Sequence, residues 1–390
     1  MAKIISFLAI CFMLLGLIVG CGTSSPKPIK IGAIYNLEGS QASLDTPSAE
    51  GAKLALKELN SSGDILGRKL KLILYDGKSD LATISKAARQ LVENDKVPLI
   101  IGFSDTDMAL AGASIAASSN VVFITSGATS PKLPEQVKDY LFLACFGDNV
   151  QASAGAEYAY KTLNLKTAAL LVDIQMEYTV LLAKYFTERY EELGGQVVLE
   201  DTYYGGTKDY SIQVNHLKAL NKTPDMLYIA AGPDDIGAIV NQFRESGINM
   251  PIFGGDAYDT PLLAETAGKY ANDVYFTTHV FLDENSSIER VKQFVSAYKK
   301  EYGKLPENSF AALGYDTVML ASDAIQRAGS EDANSIVSAL LNTRNLQLVT
   351  GSISFENGSR IPQKSVSIVS VKEGRLALEA VVTPLKVPPP

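Results

Sequence analysis

Val97–Pro131 reads VPLIIGFSDTDMALAGASIAASSNVVFITSGATSP. Two apolar runs, Val97 to Ile101 and Val121 to Thr125, have strand length and are rich in Ile, Leu and Val, and a segment long enough for a helix separates them. The unit repeats outward. Lys30 to Tyr35 and Lys69 to Asp76 read as strands; Ala52, Ala55, Leu56 and Leu59 share one helical face, and Ile84, Ala87, Ala88, Leu91 and Val92 another. Such alternation gives parallel strands joined by right-handed crossovers, hence a doubly wound α/β sheet.

The rhythm starts again after Cys145. Strands are expected at Thr167–Asp173, Gln196–Glu200, Asp225–Ala231, Pro251–Gly254 and Asp273–Thr278, with helices at Glu177–Leu193, Asp209–Leu220 and Asp234–Ser246. Two such units imply two lobes with a cleft where the carboxyl ends of both strand sets meet. The last third breaks the pattern with helices at Ser287–Tyr302 and Ser309–Ala328, then strands at Val366–Val371 and Leu376–Val382. Residues 383–390 are rich in Pro and are expected to fray.

Composition narrows the function. The 390 residues are 46% apolar and 20% charged, with a net charge of -8. No basic stripe runs along the chain, so a nucleic-acid partner is not expected. Lys3 precedes an apolar run from Ile4 to Val19, and residues 1–20 read as a signal peptide. Ile18-Val19-Gly20-Cys21 resembles the lipobox of bacterial lipoproteins, which implies lipidation of Cys21 and a tether over 21–28. Cys145 is then the single cysteine of the folded part, so no disulfide is expected; its apolar surroundings suit an inert thiol. His216 and His279 have no partner at metal-ligand spacing and read as solvated or core residues. No nucleophile elbow, P-loop or dinucleotide fingerprint occurs, and no enzyme activity, metal or cofactor is expected.

Several segments together resemble the type I periplasmic binding proteins of the branched-chain amino-acid (Leu/Ile/Val) family. They are Glu50-Gly51 to Asn60, Gly63 to Arg68, Tyr75-Asp76, Ser79-Asp80, Ser126 to Pro131, Ala312 to Asp316 with Ala328-Gly329, and Gly351 to Gly358. The resemblance implies two doubly wound lobes joined by three crossing strands near Cys145, Thr278 and Gly351. Lobe one would hold 29–145 and 279–350, and lobe two 146–278 and 351–382. It also implies a receptor of an ABC importer that closes on an α-amino acid or a related small polar solute, then delivers it to a permease with a separate ATPase. The alternative is a sensor module for amides or other metabolites. A monomer is expected, exported and held on a membrane by its lipid.

Carried over by resemblance, the ligand's carboxylate meets Thr106 and Thr129 with the amides around Ala128, where exposed helix N–H groups favour an anion. Its ammonium meets the Gly127 carbonyl and Asp256. Tyr178 lies over the ligand, and Gly232 marks a turn that carries an aromatic ring in some members. Each has a plainer reading: Thr106, Thr129 and Asp256 as helix caps, Tyr178 as a structural aromatic. Asp105 and Asp107 flank Thr106 and would weaken carboxylate binding unless they point away. Leu44 stands where an aromatic is common, so branched-chain specificity does not follow.

Overall fold

The computed structural model describes residues 26–390; the signal segment and Cys21 lie outside the described residues. Lobe one is built from β1 (Ile29–Tyr35), α1 (Ala42–Ser62), β2 (Leu70–Asp76), α2 (Leu81–Arg89), β3 (Leu99–Gly102), α3 (Thr106–Ser118), β4 (Val122–Thr125), α4 (Leu133–Gln136) and β5 (Leu141–Leu143). Its five strands pair in the order β2-β1-β3-β4-β5, all parallel. Every residue of β3, β4 and β5 is buried, as continuous apolar strands must be when helices cover both sheet faces.

The second lobe runs through α5 (Asp148–Glu157), β6 (Thr167–Asp173), α6 (Glu177–Glu192), β7 (Gln196–Tyr203), α7 (Ser211–Lys218), β8 (Met226–Ala230), α8 (Ile236–Glu245), β9 (Ile252–Gly254), α9 (Pro261–Ala267) and β10 (Val274–Thr278). The chain then returns to lobe one with α10 (Glu289–Tyr302), α11 (Ser309–Ala328), α12 (Ala333–Leu341) and a ribbon of β11 (Leu346–Leu348) and β12 (Gly351–Ile353). It ends in β13 (Val366–Lys372) and β14 (Arg375–Val382). The seven-stranded sheet has the order β14-β13-β10-β9-β8-β6-β7; β13 and β14 join it antiparallel, the rest parallel.

Helix α1 begins ten residues before Ala52, the first position of its expected apolar face, and contains Pro47. A proline at that place cannot donate to the carbonyl four residues back, that of Ser43. Asn308 Nδ2 supplies the missing bond to Ser43 O at 2.9 Å, so the start of α11 braces the start of α1. The two helices then touch backbone to backbone. A Cβ on Gly51 would sit 1.8 Å from Ala311 O, and one on Gly314 1.8 Å from Ser48 O, so only glycine fits at this crossing.

Two expectations need correction. The third crossing lies beyond Gly351: Ile353 and Phe355 are fully buried in the lobe-one core, Phe355 stacks edge-on against Phe142, and Arg360 O accepts from Leu143 N. The chain passes between lobes near Lys364, whose ammonium is buried against Ala144 O and Thr350 Oγ1. Thr350 Oγ1 in turn donates to Asp316 at 2.6 Å. Residues 385–388, within the tail expected to fray, make bonds to lobe two. Leu385 N donates to Glu157 Oε1, Lys386 pairs with Glu192, and Asn149 Nδ2 donates to Pro388 O.

Candidate functional site

The carboxyl ends of β3 and β4 lead into two turns that are laced together. Phe103, held at φ 61°, presents its carbonyl to both Gly127 N (3.0 Å) and Thr125 Oγ1 (3.1 Å). Ala128 N donates back to Thr125 Oγ1 at 3.1 Å. Gly127 has no room for a side chain, since a Cβ there would lie 2.8 Å from the Phe310 ring. Thr106 opens α3; its hydroxyl is buried and without a partner among the described residues, an arrangement that costs about 1–3 kcal/mol unless something accepts or donates there.

The opposite wall comes from lobe two. Asp256, 2% exposed, begins a single turn of 3-10 helix after β9, and Thr260 rather than Asp256 caps α9. Asp256 Oδ1 accepts from Gln151 Nε2 (2.8 Å) and from the Tyr178 hydroxyl (2.9 Å), while Oδ2 accepts from His279 Nε2 (2.9 Å). Burial pulls the His279 pKa down, against the pull of Asp256, so the ring is neutral and donates through Nε2. It is also stacked on Phe146, centroids 4.0 Å apart.

Between the walls is a narrow space lined by Leu44, Asp105 and Phe310 from one lobe and Met176, Tyr178 and Asp256 from the other. Its free volume is about 10 Å³. Beyond Gln41, Met176 and Pro233, which line both spaces, lies a cavity of about 390 Å³ between the lobes that reaches Gly232. The lobes also bond directly: Glu177 N donates to Asp107 Oδ2 at 3.3 Å, and Ser130 Oγ donates to Glu177 Oε1 at 3.2 Å.

The site is acidic. Burial pushes the Asp105 carboxyl up to about 7 and the Asp45 carboxyl up to about 6; Asp45 and Asp107 add to the rise at Asp105. Asp105 caps its own helix through Met108 N, and Asp107 turns across the cleft to Glu177, so neither is aimed at the amides of the Gly127 turn. Asp148, also buried, is raised far above the carboxylate range by desolvation.

The structure thus joins Tyr178 to Asp256 directly and sets Gly127 beside the Ser104 hydroxyl and Phe310, which line the same space. Gly232 stands against Met176. Thr129 reaches Asp256 through Asp148, whose amide donates to Thr129 O at 2.7 Å and whose Oδ1 accepts from Gln151. Gln151 and Asp148 escaped the sequence reading because α5 carries no amphipathic signal: nine of its ten residues are buried, among them Asp148, Asn149, Gln151, Ser153 and Glu157. His279, read as a solvated or core residue, is buried and is also a partner of Asp256.

A family model described as periplasmic binding protein matches residues 28–375. The chain belongs to the type I periplasmic binding protein family. Leu/Ile/Val-binding protein homolog 3 of Brucella melitensis is 24% identical over 359 residues, 92% of this chain and 95% of the relative. The leucine binding protein LivK of Thermotoga maritima superposes with a TM-score of 0.84 at 34% identity, over 91% of this chain and 99% of its own. LivJ of Streptococcus pneumoniae, solved with isoleucine, gives 0.84 at 30% identity, over 92% and 100%. This periplasmic binding protein is a solute receptor of an ABC importer working outside the cytoplasm, not an enzyme, and the sensor alternative is not favoured.

Proposed function

We propose that this receptor captures an α-amino acid between its lobes. Asp256 carries the reading. Its carboxylate holds three donors from behind, and since a carboxylate has about four lone-pair sites, one remains for an ammonium. A buried cation is tolerated only beside such a partner. Thr106, Gly127, Ala128 and Thr129 supply hydroxyls, amides and the Gly127 carbonyl from lobe one; Tyr178 and Gly232 complete the lobe-two wall. Relatives that are named for or solved with leucine and isoleucine support the ligand class.

Free space of about 10 Å³ holds at most one water, so admission of an amino acid requires the lobes to part. Ligand contacts to both lobes then favour the closed form, because a solute touching one lobe alone shifts no equilibrium. The closed receptor docks on a permease driven by a separate ATPase, acts as a monomer, and is held at the membrane through a lipid on Cys21. Two or more acyl chains give stable anchoring.

A thermal-shift screen of the mature protein against amino acids, amides and small carboxylates tests the ligand class, since a solute bound only by the folded state raises Tm. A rise with an α-amino acid and none with its des-amino or des-carboxy analogue is expected. Equal stabilisation by the des-amino analogue overturns the role of Asp256.

A further inference from the structure

Gln151 is fully buried and uses its whole amide. Nε2 donates to Asp148 Oδ1 (3.0 Å) and Asp256 Oδ1 (2.8 Å); Oε1 accepts from Asp256 N (3.1 Å) and Thr277 Oγ1 (2.6 Å). Turning the amide over would set its oxygen against two carboxyl oxygens and its NH2 against a backbone N–H, so one orientation is fixed. Asp148 and Gln151 lie in the first turn of α5, directly after the first crossing between lobes. Thr277 is the last residue but one of β10, just before the second crossing, and His279 lies within it. Asp148 also accounts for the link to lobe one, through its amide on Thr129 O.

We propose that Gln151 and Asp148 are positioning residues for ammonium recognition, holding Asp256 from the hinge side and tying its orientation to the Thr129 turn across the first crossing. The proposal rests on the ammonium reading of Asp256. The groups facing Asp148 are Thr129, Gln151, Asp256 and Glu177, and burial raises its carboxyl well above the ordinary value. One amide nitrogen of Gln151 thus serves both carboxyls and fixes their mutual orientation. Freed of Gln151, Asp256 keeps its partners Tyr178 and His279 but loses the contact that sets its rotation about the backbone.

Calorimetry with L-isoleucine and with 3-methylpentanoate, the same acid without its amino group, separates positioning from scaffolding. Gln151→Met is expected to weaken isoleucine about ten-fold while 3-methylpentanoate stays within about two-fold, and to add nothing in an Asp256→Ala background. Asp148→Asn, which keeps the oxygen that accepts from Gln151 Nε2, should retain wild-type affinity where Asp148→Ala behaves like Gln151→Met. Equal losses for both ligands overturn the proposal while leaving the amino-acid reading intact.

If the wild-type protein binds neither probe, the isoleucine reading fails and imidazole nitrogen NMR of the unliganded protein decides the positioning role. His216 is exposed and paired with Asp201, so the His279 signals stand apart. Wild type should show His279 protonated on Nε2 alone, and Gln151→Met should mix the tautomers. An unchanged His279 spectrum overturns the proposal.

Discussion

The Tyr178 hydroxyl donates to Asp256 Oδ1 at 2.9 Å, joining the first turn of α6 to the turn that follows β9. Desolvation by burial, then the nearby Asp256 charge, raises the phenol's pKa far above its usual value, so it remains a donor at every physiological pH. Asp256→Ala should therefore abolish amino-acid binding, a loss of at least about a hundred-fold, because an ammonium would be buried unpaired. Tyr178→Phe should cost about ten-fold, the size of one hydrogen bond to a charged group. Titration calorimetry checks both, and retained affinity in Asp256→Ala refutes the ammonium assignment.

Thr106→Val separates a ligand group from a structural one. The hydroxyl has no partner among the described residues, so an isosteric apolar replacement should leave the unliganded Tm unchanged or raise it, while amino-acid affinity drops about ten-fold. A fall in Tm with no change in affinity would assign Thr106 to the scaffold instead.

Much of the fold was legible because parallel strands covered on both faces must be continuously apolar, as Val122–Thr125 is. The start of α1 was not, because Pro47 argues against a helix until Asn308, distant by 261 positions, is seen to replace the lost bond. The third crossing misled for a related reason: Gly351 looks like a boundary, and only three-dimensional packing shows Phe355 seated on Phe142. At the site, Asp256 and Tyr178 could be named from family resemblance. Their braces could not, since hydrogen bonds from Gln151 and His279 span 105 and 23 positions and leave no periodic trace.

Gly51→Ala and Gly314→Ala should each destabilise by about 3 kcal/mol or more, since the added methyl meets a carbonyl oxygen of the partner helix instead of a movable side chain. Gly63→Ala, where the methyl meets nothing within 4 Å, is the control and should change little. Urea unfolding midpoints give the comparison.

Stability should fall as pH rises from about 4 to about 7. Asp105 and Asp45 titrate near 7 and 6 in the folded chain and near the ordinary carboxylate range when unfolded, so the native state binds more protons in that window. The stabilisation is complete below the unfolded pKa and lost as pH passes the folded values. Asp105→Asn keeps the cap on Met108, since Asn is as good a capping residue, but removes the charge. Its Tm should exceed wild type at pH 8, with a shallower slope between pH 5 and 7.5. A slope as steep as wild type would exclude Asp105 as a source.

Residues 385–388 lie pinned against α5 and α6. A fluorophore attached at Pro390 would accordingly ride with the second lobe, and paired with a dye on an exposed lobe-one position such as Lys57 it would convert the swing of the receptor into an optical signal. An affinity handle fused at the same end, by contrast, would start beside the swivel, and its bulk would bias the very movement a biosensor is meant to record.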